Sequence, residues 1–535
     1  MGYKTSSWER YKKFLYTNEA LGLTLDLSCL NFPETYFQEM HSPMERAFQL
    51  MRELEKGAIA NPDEERMVGH YWLRNSSLAP DQSIETEIRH TMEKVEEFGR
   101  AVKTGQILSA TGQRFSRFLL IGIGGSALGP QLICDALRGK GKEEGKERSL
   151  QAYFLDNTDP DGIDRVLDQL SAYLEETLVI VISKSGGTIE TRNGMLEVQA
   201  YFKTKALDFP RQAVAITLSG SKLDKLAAEE KWLERFYIWD WVGGRTSVTS
   251  AVGLLPAVLQ GIDINAFIEG ARDCDIVTRK EEVRQNPAAL MALMWHFMVQ
   301  KTGKRNMVVL PYRDSLQLIT RYLQQLVMES LGKEKNLAGE VVHAGLTVYG
   351  NKGSTDQHAY VQQLLDGPHD FFVTFIEVQQ DRRERTVFVE EDVTSGDYLK
   401  AFLEGTRAGL SKKGRESLTL SFQEVTPYTM GVLVALFERA VSLYAALIKV
   451  NAYDQPGVEL GKKGANRYIE LQGQVLQFLR AKQGVAYTAE GLAVELGQPE
   501  ETEFIYKVLE HLYLNQDQAV KKAKGQDLFS GKYYL

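Results

Sequence analysis

The residues best equipped for chemistry lie between Thr177 and Thr191, T-L-V-I-V-I-S-K-S-G-G-T-I-E-T. An apolar, β-branched run, Leu178 to Ile182, stops at Ser183-Lys184-Ser185-Gly186-Gly187-Thr188, and Ile189 to Phe202 then has helix-forming composition. Such a run is too short for a buried helix and reads as a strand covered on both faces. Three hydroxyls, one fixed positive charge and two residues without side chains at a helix N-terminus form an anion cradle, on which main-chain N–H groups and the helix dipole converge. Phosphate fits it best. The same residues also suit an ordinary capped Ser/Gly turn between strand and helix.

Five further stretches stand out. Ser126 sits in Gly124-Gly125-Ser126-Ala127-Leu128-Gly129, after a predicted strand Phe115 to Ile123 and before a helix Pro130 to Arg138 with proline in its first turn. Arg245 follows Gly243-Gly244; it could reach a ligand approached closely by backbone, or stand on a solvated turn. A helix predicted over Leu316 to Leu331 puts Leu316, Ile319, Leu323, Leu326 and Val327 on one face and Arg321, Gln325 and Glu329 on another. That polar stripe is either a solvated face or the seat of a carboxylate partly withdrawn from water, the setting in which a general base works. His358 follows a polar, glycine-bearing loop and opens a predicted helix, as a capping, core or catalytic residue. Asp454-Gln455-Pro456-Gly457-Val458-Glu459-Leu460-Gly461-Lys462 is not a P-loop, because three residues separate its glycines and no Ser or Thr follows the lysine.

These loops need a scaffold, and the chain supplies one. Predicted strands at Leu150 to Leu155, Leu178 to Ile182 and Ala213 to Leu218 alternate with helices such as Val166 to Glu175, which implies a parallel sheet with ligands beyond its carboxyl ends. From about residue 262 the alternation repeats: a helix at Pro287 to Val299, strands at Asn306 to Leu310, near Val341 and at Phe372 to Val378, and an apolar helix over 427–450. Residues 1 to about 95 read as helices and connectors, among them Pro43 to Lys56. Thr488 to Leu512 reads as two short helices across a Gly-Gln-Pro turn, like a small helix-turn-helix or winged unit, but too acidic to hold DNA.

A chain of 535 residues exceeds one hydrophobic core, and its composition, 43% apolar and 25% charged, is that of a globular protein rather than a disordered one. A net charge of -8 and a pI near 5.7 argue against bulk electrostatic binding of nucleic acid, so any phosphate site is built locally. Cys29, Cys134 and Cys274 are widely spaced and suggest a reducing compartment with no structural zinc. The N-terminus lacks the apolar core of a signal peptide, and no run approaches the roughly 20 apolar residues of a membrane span. Met1-Gly2-Tyr3-Lys4-Thr5-Ser6 matches the short N-myristoylation pattern, which also arises by chance. The cytoplasm is the expected setting.

Six stretches together resemble the phosphoglucose isomerase family: G-I-G-G-S-A-L-G-P at 122–130, S-K-S-G-G-T-I-E-T at 183–191, V-G-G-R at 242–245, Q-L-V-M-E-S-L-G-K at 325–333, D-Q-H-A at 356–359 and D-Q-P-G-V-E-L-G-K at 454–462. The resemblance spans roughly residues 65 to 475. It implies an α/β protein with two sugar-isomerase-type (SIS) parallel-sheet αβα sandwich subdomains, at 96–261 and 262–476, flanked by a helical segment 1–95 packing on the second and a helical, winged-helix-like tail 477–535. It also implies a homodimer without metal or organic cofactor that interconverts glucose 6-phosphate and fructose 6-phosphate through a cis-enediolate. Position by position, Ser126, Ser183, Lys184, Ser185 and Thr188 resemble the phosphate site and Glu329 the general base. His358, reaching the neighbouring subunit's site, and Lys462 resemble the ring-opening groups, and Arg245 the residue beside the enediolate. Gly244, Gln325 and Gln455 match other substrate contacts. The chain departs from animal-type members at Gly186, Gly187, Leu331 and Pro456, where those carry Phe, Thr, Asn and Trp.

Two rival readings use the same loops. Gly122-x-Gly124-x-x-Ala127 satisfies most of a dinucleotide fingerprint, which would give a nicotinamide-dependent oxidoreductase, although Asp156 lies later than the usual acidic residue. Two sugar-isomerase folds with a helix-turn-helix-like tail could also form a sugar-phosphate sensor, which has no need of Glu329, Arg245, His358 and Lys462 together.

Overall fold

The computed structural model of the chain describes residues 8–139, 148–382, 385–515 and 519–535. The Met1–Ser6 acylation pattern lies outside them. The chain forms two compact units, Met1–Asp454 and Gln455–Leu535.

In the first unit the strand Thr177–Ile182 has all six residues buried, as its unbroken apolar run requires. It pairs in parallel with Arg117–Ile121 on one side and Ala213–Thr217 on the other, and Gln151–Leu155 and Glu234–Tyr237 complete a five-stranded parallel sheet. By chain order the strands lie 2-1-3-4-5. The order reverses between Arg117–Ile121 and Thr177–Ile182, and at such a switch point the connecting loops diverge and leave a crevice beyond the carboxyl ends. The loops that leave these two strands are those of Ser126 and of Ser183 to Thr188.

A second sheet repeats the plan. Asn306–Pro311, Thr347–Tyr349, Phe371–Val378 and Ser417–Phe422 pair in parallel in the order 2-1-3-4. A hairpin, Leu15–Asn18 with Leu23–Asp26, then adds antiparallel to Ser417–Phe422. The reading of the N-terminal segment as helices and connectors missed this hairpin. Leu21, Leu23, Leu25 and Leu27 are all buried, so a period-two alternation carries the edge of the sheet.

Other boundaries shift for local reasons. The helix expected at Val166 to Glu175 runs Pro160–Leu170, because Asp159 caps it, accepting from the Asp161 N–H, and Pro160 opens it. Val341–Ala344 joins Lys333–Lys335 in a small hairpin outside both sheets. Glu234–Tyr237, with one of its four residues buried, is too short and too polar to read as a strand from pattern alone.

The absence of a span-length apolar run is also corrected. Helix Pro427–Ile448 is long and apolar enough to cross a bilayer, yet 83% of its most apolar window is buried inside the protein. It is a core helix, and it carries buried Glu438 and Arg439. Helix Ile264–Thr278 packs on it almost backbone to backbone. A Cβ on Gly431 would lie 2.0 Å from the Phe267 carbonyl oxygen, and one on Gly270 would lie 2.0 Å from that of Tyr428.

The second unit comprises helices Pro456–Ala481, Ala489–Glu495 and Thr502–Leu514 and a hairpin of Lys521–Ala523 with Lys532–Tyr534. Leu471, Val475, Leu479, Leu492, Ile505, Val508, Leu509 and Tyr533 form its core. Helix Pro456–Ala481 runs through residue 477, with Pro456 opening its first turn.

The close helix crossing predicts that Gly431→Val lowers the unfolding free energy by about 3 kcal/mol, the upper part of the usual overpacking range. Urea unfolding checks it, and an unchanged midpoint would show that the two helices separate at little cost.

Candidate active site

The cradle forms because its strand stops at a buried serine. The Ser183 N–H donates to Ile216 O, which extends the sheet by one bond, and the Gly186 N–H then turns back to Ser183 O at 3.1 Å. Gly186 has φ +64°, and a Cβ there would lie 2.5 Å from the Leu223 N atom. The neighbouring loop therefore occupies the space of a side chain at 186, which accounts physically for glycine at this departure from the animal-type pattern. Thr188 is the N-cap position of helix Ile189–Thr204, and its side chain makes no capping bond to that helix's first N–H groups. The Ser183 hydroxyl donates to Thr188 Oγ1 at 3.1 Å, and Ser185 Oγ accepts the Gly187 N–H at 3.2 Å.

Two features of the cradle were not legible from residue type. The Lys184 ammonium points to the main chain of another loop, donating to Asp240 O and Val242 O at 2.8 Å each. It ties the cradle to the segment that leads into the third glycine turn. Burial, with Arg66's charge second, lowers its pKa to about 8. Thr191, in the first turn of the helix, is buried with a hydroxyl that has no hydrogen-bond partner. Its spacing of three from Thr188 was the available signal.

The other two glycine turns meet main chain to main chain. Gly122 to Ser126 closes through the Ser126 N–H to Ile123 O bond, with Gly124 at φ +59°. A Cβ on Gly125 would lie 2.0 Å from Gly244 O, so the first turn tolerates no side chain at that contact. Ser247 spans it, its hydroxyl reaching Gly244 O at 2.8 Å and Gly125 O at 3.4 Å. Gln325 faces the same place, its Nε2 3.1 Å from where a Gly124 Cβ would be.

Arg245 leaves this junction buried, at 6% exposure. Its Nη1 lies 3.0 Å from Glu329 Oε2, and its Nη2 donates to Ala452 O at 3.0 Å and Asp454 O at 2.8 Å. A solvated turn is thereby excluded for Arg245. Segment 451–454 is itself held: Asn451 Nδ2 donates to Asn61 Oδ1 and Asp63 Oδ2, Tyr453 N to Asn451 Oδ1, and Tyr453 OH to Ser442 Oγ.

Glu329 stands at the end of a π-helical segment, Gln324–Glu329, that interrupts the helix begun at Ile319–Leu323. The wider turn breaks the 3.6-residue register, so Arg321 does not share the face of Gln325 and Glu329 that the periodicity predicts. Arg321 lines a small cavity with Gln131, Asp135 and Arg138, while Glu329 meets Arg245.

His358 ends the turn Thr355–His358, three residues before helix Val361–Asp366, and its ring is exposed. Its neighbour Asp356 is buried and accepts from the Asn351 N–H at 2.9 Å, which pins the loop. Gln455 stands at the N-cap position of helix Pro456–Ala481 and Lys462 lies on it, in the second unit. The first unit thus brings Ser126, Gly244, Arg245, Gln325 and Glu329 together, and Lys184 joins the hydroxyl cradle to the 240–242 segment beside them.

A family model described as phosphoglucose isomerase matches residues 42–475. The glucose-6-phosphate isomerase of Geotalea daltonii is 55% identical over 531 residues, 99% of each chain. That of Geobacter sulfurreducens is 56% identical over 514 residues, 96% of each. The crystal structure of a glucose-6-phosphate isomerase from Chlamydia trachomatis superposes with a TM-score of 0.79 at 27% identity, over 87% of this chain and 92% of that one.

Lys184 supplies a pH test. Its lowered value means that between about pH 8 and its ordinary value of 10.5 the unfolded chain binds more protons there than the folded one, so this group's contribution to stability rises with pH through that window. Urea midpoints at pH 7 and pH 9.5 should show the wild type gaining on Lys184→Met at the higher pH. Parallel midpoints would mean that the ammonium keeps its ordinary proton affinity.

Proposed function

This chain belongs to the phosphoglucose isomerase family and interconverts glucose 6-phosphate and fructose 6-phosphate, and we propose that it does so by proton transfer on Glu329 beside Arg245. The observation that carries the reading is the pairing of buried Arg245 with half-buried Glu329, 3.0 Å apart and adjoining the contact of two glycine turns at a sheet's switch point.

The sugar phosphate enters as a closed ring. Lys462 and His358, the latter from a second copy of the chain, move the two protons of ring opening: one acid protonates the ring oxygen while a base takes the C1 hydroxyl proton. The exposed ring of His358 suits a contribution across a homodimer. In the open aldose the C2 proton is acidified by the C1 carbonyl. The Glu329 carboxylate removes it, and the C–H electron pair becomes the C1–C2 double bond of a cis-enediolate with negative charge on oxygen. Arg245 stabilises that charge, because a guanidinium fixed by two carbonyls needs no reorganisation as the charge develops. The C2 hydroxyl proton passes to O1, Glu329 returns its proton to C1, the C2 oxygen becomes the ketone, and the ring closes.

Ser126, Ser183, Ser185 and Thr188, with the unpartnered hydroxyl of Thr191, hold the phosphate at the open N-terminus of helix Ile189–Thr204. Lys184 braces this cradle through main-chain carbonyls. Gly244 and Gln325 line the path of the sugar, and Gln455 is a further substrate contact by its match to the family. Binding the phosphate away from the reacting carbons orients C1 and C2 over the base. No step calls on a metal or organic cofactor. The enzyme acts in the cytoplasm, in glycolysis and gluconeogenesis.

Turnover of fructose 6-phosphate, with chelator present and no cofactor added, tests the reading. Glu329→Gln should lower kcat by about 10³-fold, within the range for loss of a general base, while calorimetry still detects bound sugar phosphate. Equal turnover in wild type and variant would remove Glu329 as the base.

A further inference from the structure

Lysine is among the residues least often buried, and a buried one needs compensation. Lys333, directly after the helix that carries Glu329, is 6% exposed. Its Nζ donates to Glu329 O at 3.1 Å and to Asp454 O at 2.7 Å, and lies 2.7 Å from Asp454 Oδ1. Local sequence explains how it gets there. The Gly332 N–H bonds Met328 O at 2.8 Å, and a Cβ on Gly332 would lie 2.7 Å from that oxygen, so the chain closes tightly on the helix end. Lys333 then folds back on the last carbonyls, where the helix dipole favours a cation.

The acceptor matters as much as the donor. Asp454 O receives both the Lys333 ammonium and the Arg245 guanidinium. One carbonyl is therefore the common point between the backbone of the base and the side chain of its partner. The Asp454 carboxylate neutralises the ammonium, so two adjacent cations, Arg245 and Lys333, are held against two carboxylates, Glu329 and Asp454.

Resting on the isomerase reading above, we propose that Lys333 is a positioning residue for the reaction: with Asp454 it clamps the end of the Glu329 helix to segment 452–454 and so sets the separation of base and guanidinium. Lys333 itself moves no proton. A displacement of about 1 Å at a reacting group costs on the order of 10²-fold in rate, which is the scale of effect that opening the clamp should have.

The test uses the full chain and steady-state turnover of fructose 6-phosphate. Lys333→Met should lower kcat by about 10²-fold with KM changed by less than about 3-fold, since the phosphate cradle is untouched. Lys333→Arg, which keeps the charge and can reach a carbonyl, should recover about 10-fold of that loss. Asp454→Asn keeps the main-chain acceptor and should cost about 10-fold, and adding it to Lys333→Met should cost nothing more, because one clamp cannot be opened twice. Lys333→Met with wild-type kcat, or with a loss that matches only its unfolded fraction by circular dichroism, overturns the proposal. Should that variant fail to fold, wild-type kcat in Asp454→Asn overturns it equally. A folded wild type without isomerase turnover would instead remove the reading on which the clamp rests.

Discussion

A guanidinium buried as deeply as that of Arg245 must be satisfied on every side, because an unpaired charge in the interior costs several kcal/mol. Two main-chain carbonyls and a carboxylate help to satisfy it, and much of the site's construction serves to bring these acceptors to one place. Segment 452–454 is positioned through Asn451 by Asn61 and Asp63 and through Tyr453 by Ser442, to which Tyr71 also bonds. An N-terminal segment without a catalytic group is therefore part of the site's foundation.

The glycine turns answer a second constraint. Two loops can bring functional groups to one point only if their backbones come close, and the Gly125–Gly244 contact leaves no room for a Cβ on Gly125. It stands at the switch point of the first sheet, where the strand order opens a crevice. The second sheet repeats the strand order and supplies the helix with Glu329 and the loop with His358. Two copies of one topology thus divide the site, one carrying the hydroxyl cradle and Arg245, the other Glu329.

Beneath the site lies a buried ionic cluster. Arg74 pairs with Asp275 and Glu438, and Arg439 with Asp275 and Glu55, while Tyr322, on the helix that leads to Glu329, donates to Glu438. Such pairs add little net stability against apolar packing, but breaking one leaves an uncompensated buried charge. Their consequence is geometric: helices Pro427–Ile448, Ile264–Thr278 and Ile319–Leu323 can meet in one register only.

The sequence by itself determined the parts governed by local rules. Glycine turns, apolar strand runs and hydroxyls at a helix start follow from the conformational and hydrogen-bonding limits of neighbouring residues, so the cradle, the two alternating α/β halves and the groups Ser126, Arg245 and Glu329 could be named from residue types and family resemblance. Tertiary structure decided where side chains point and which backbones meet. The π-helical segment that separates Arg321 from Glu329, the turn of Lys184 toward Asp240 and Val242, the burial of Thr191 and the fold-back of Lys333 all depend on partners distant in sequence or on packing against them. A long side chain swings through several ångströms at little local cost, so only the surrounding fold selects its direction.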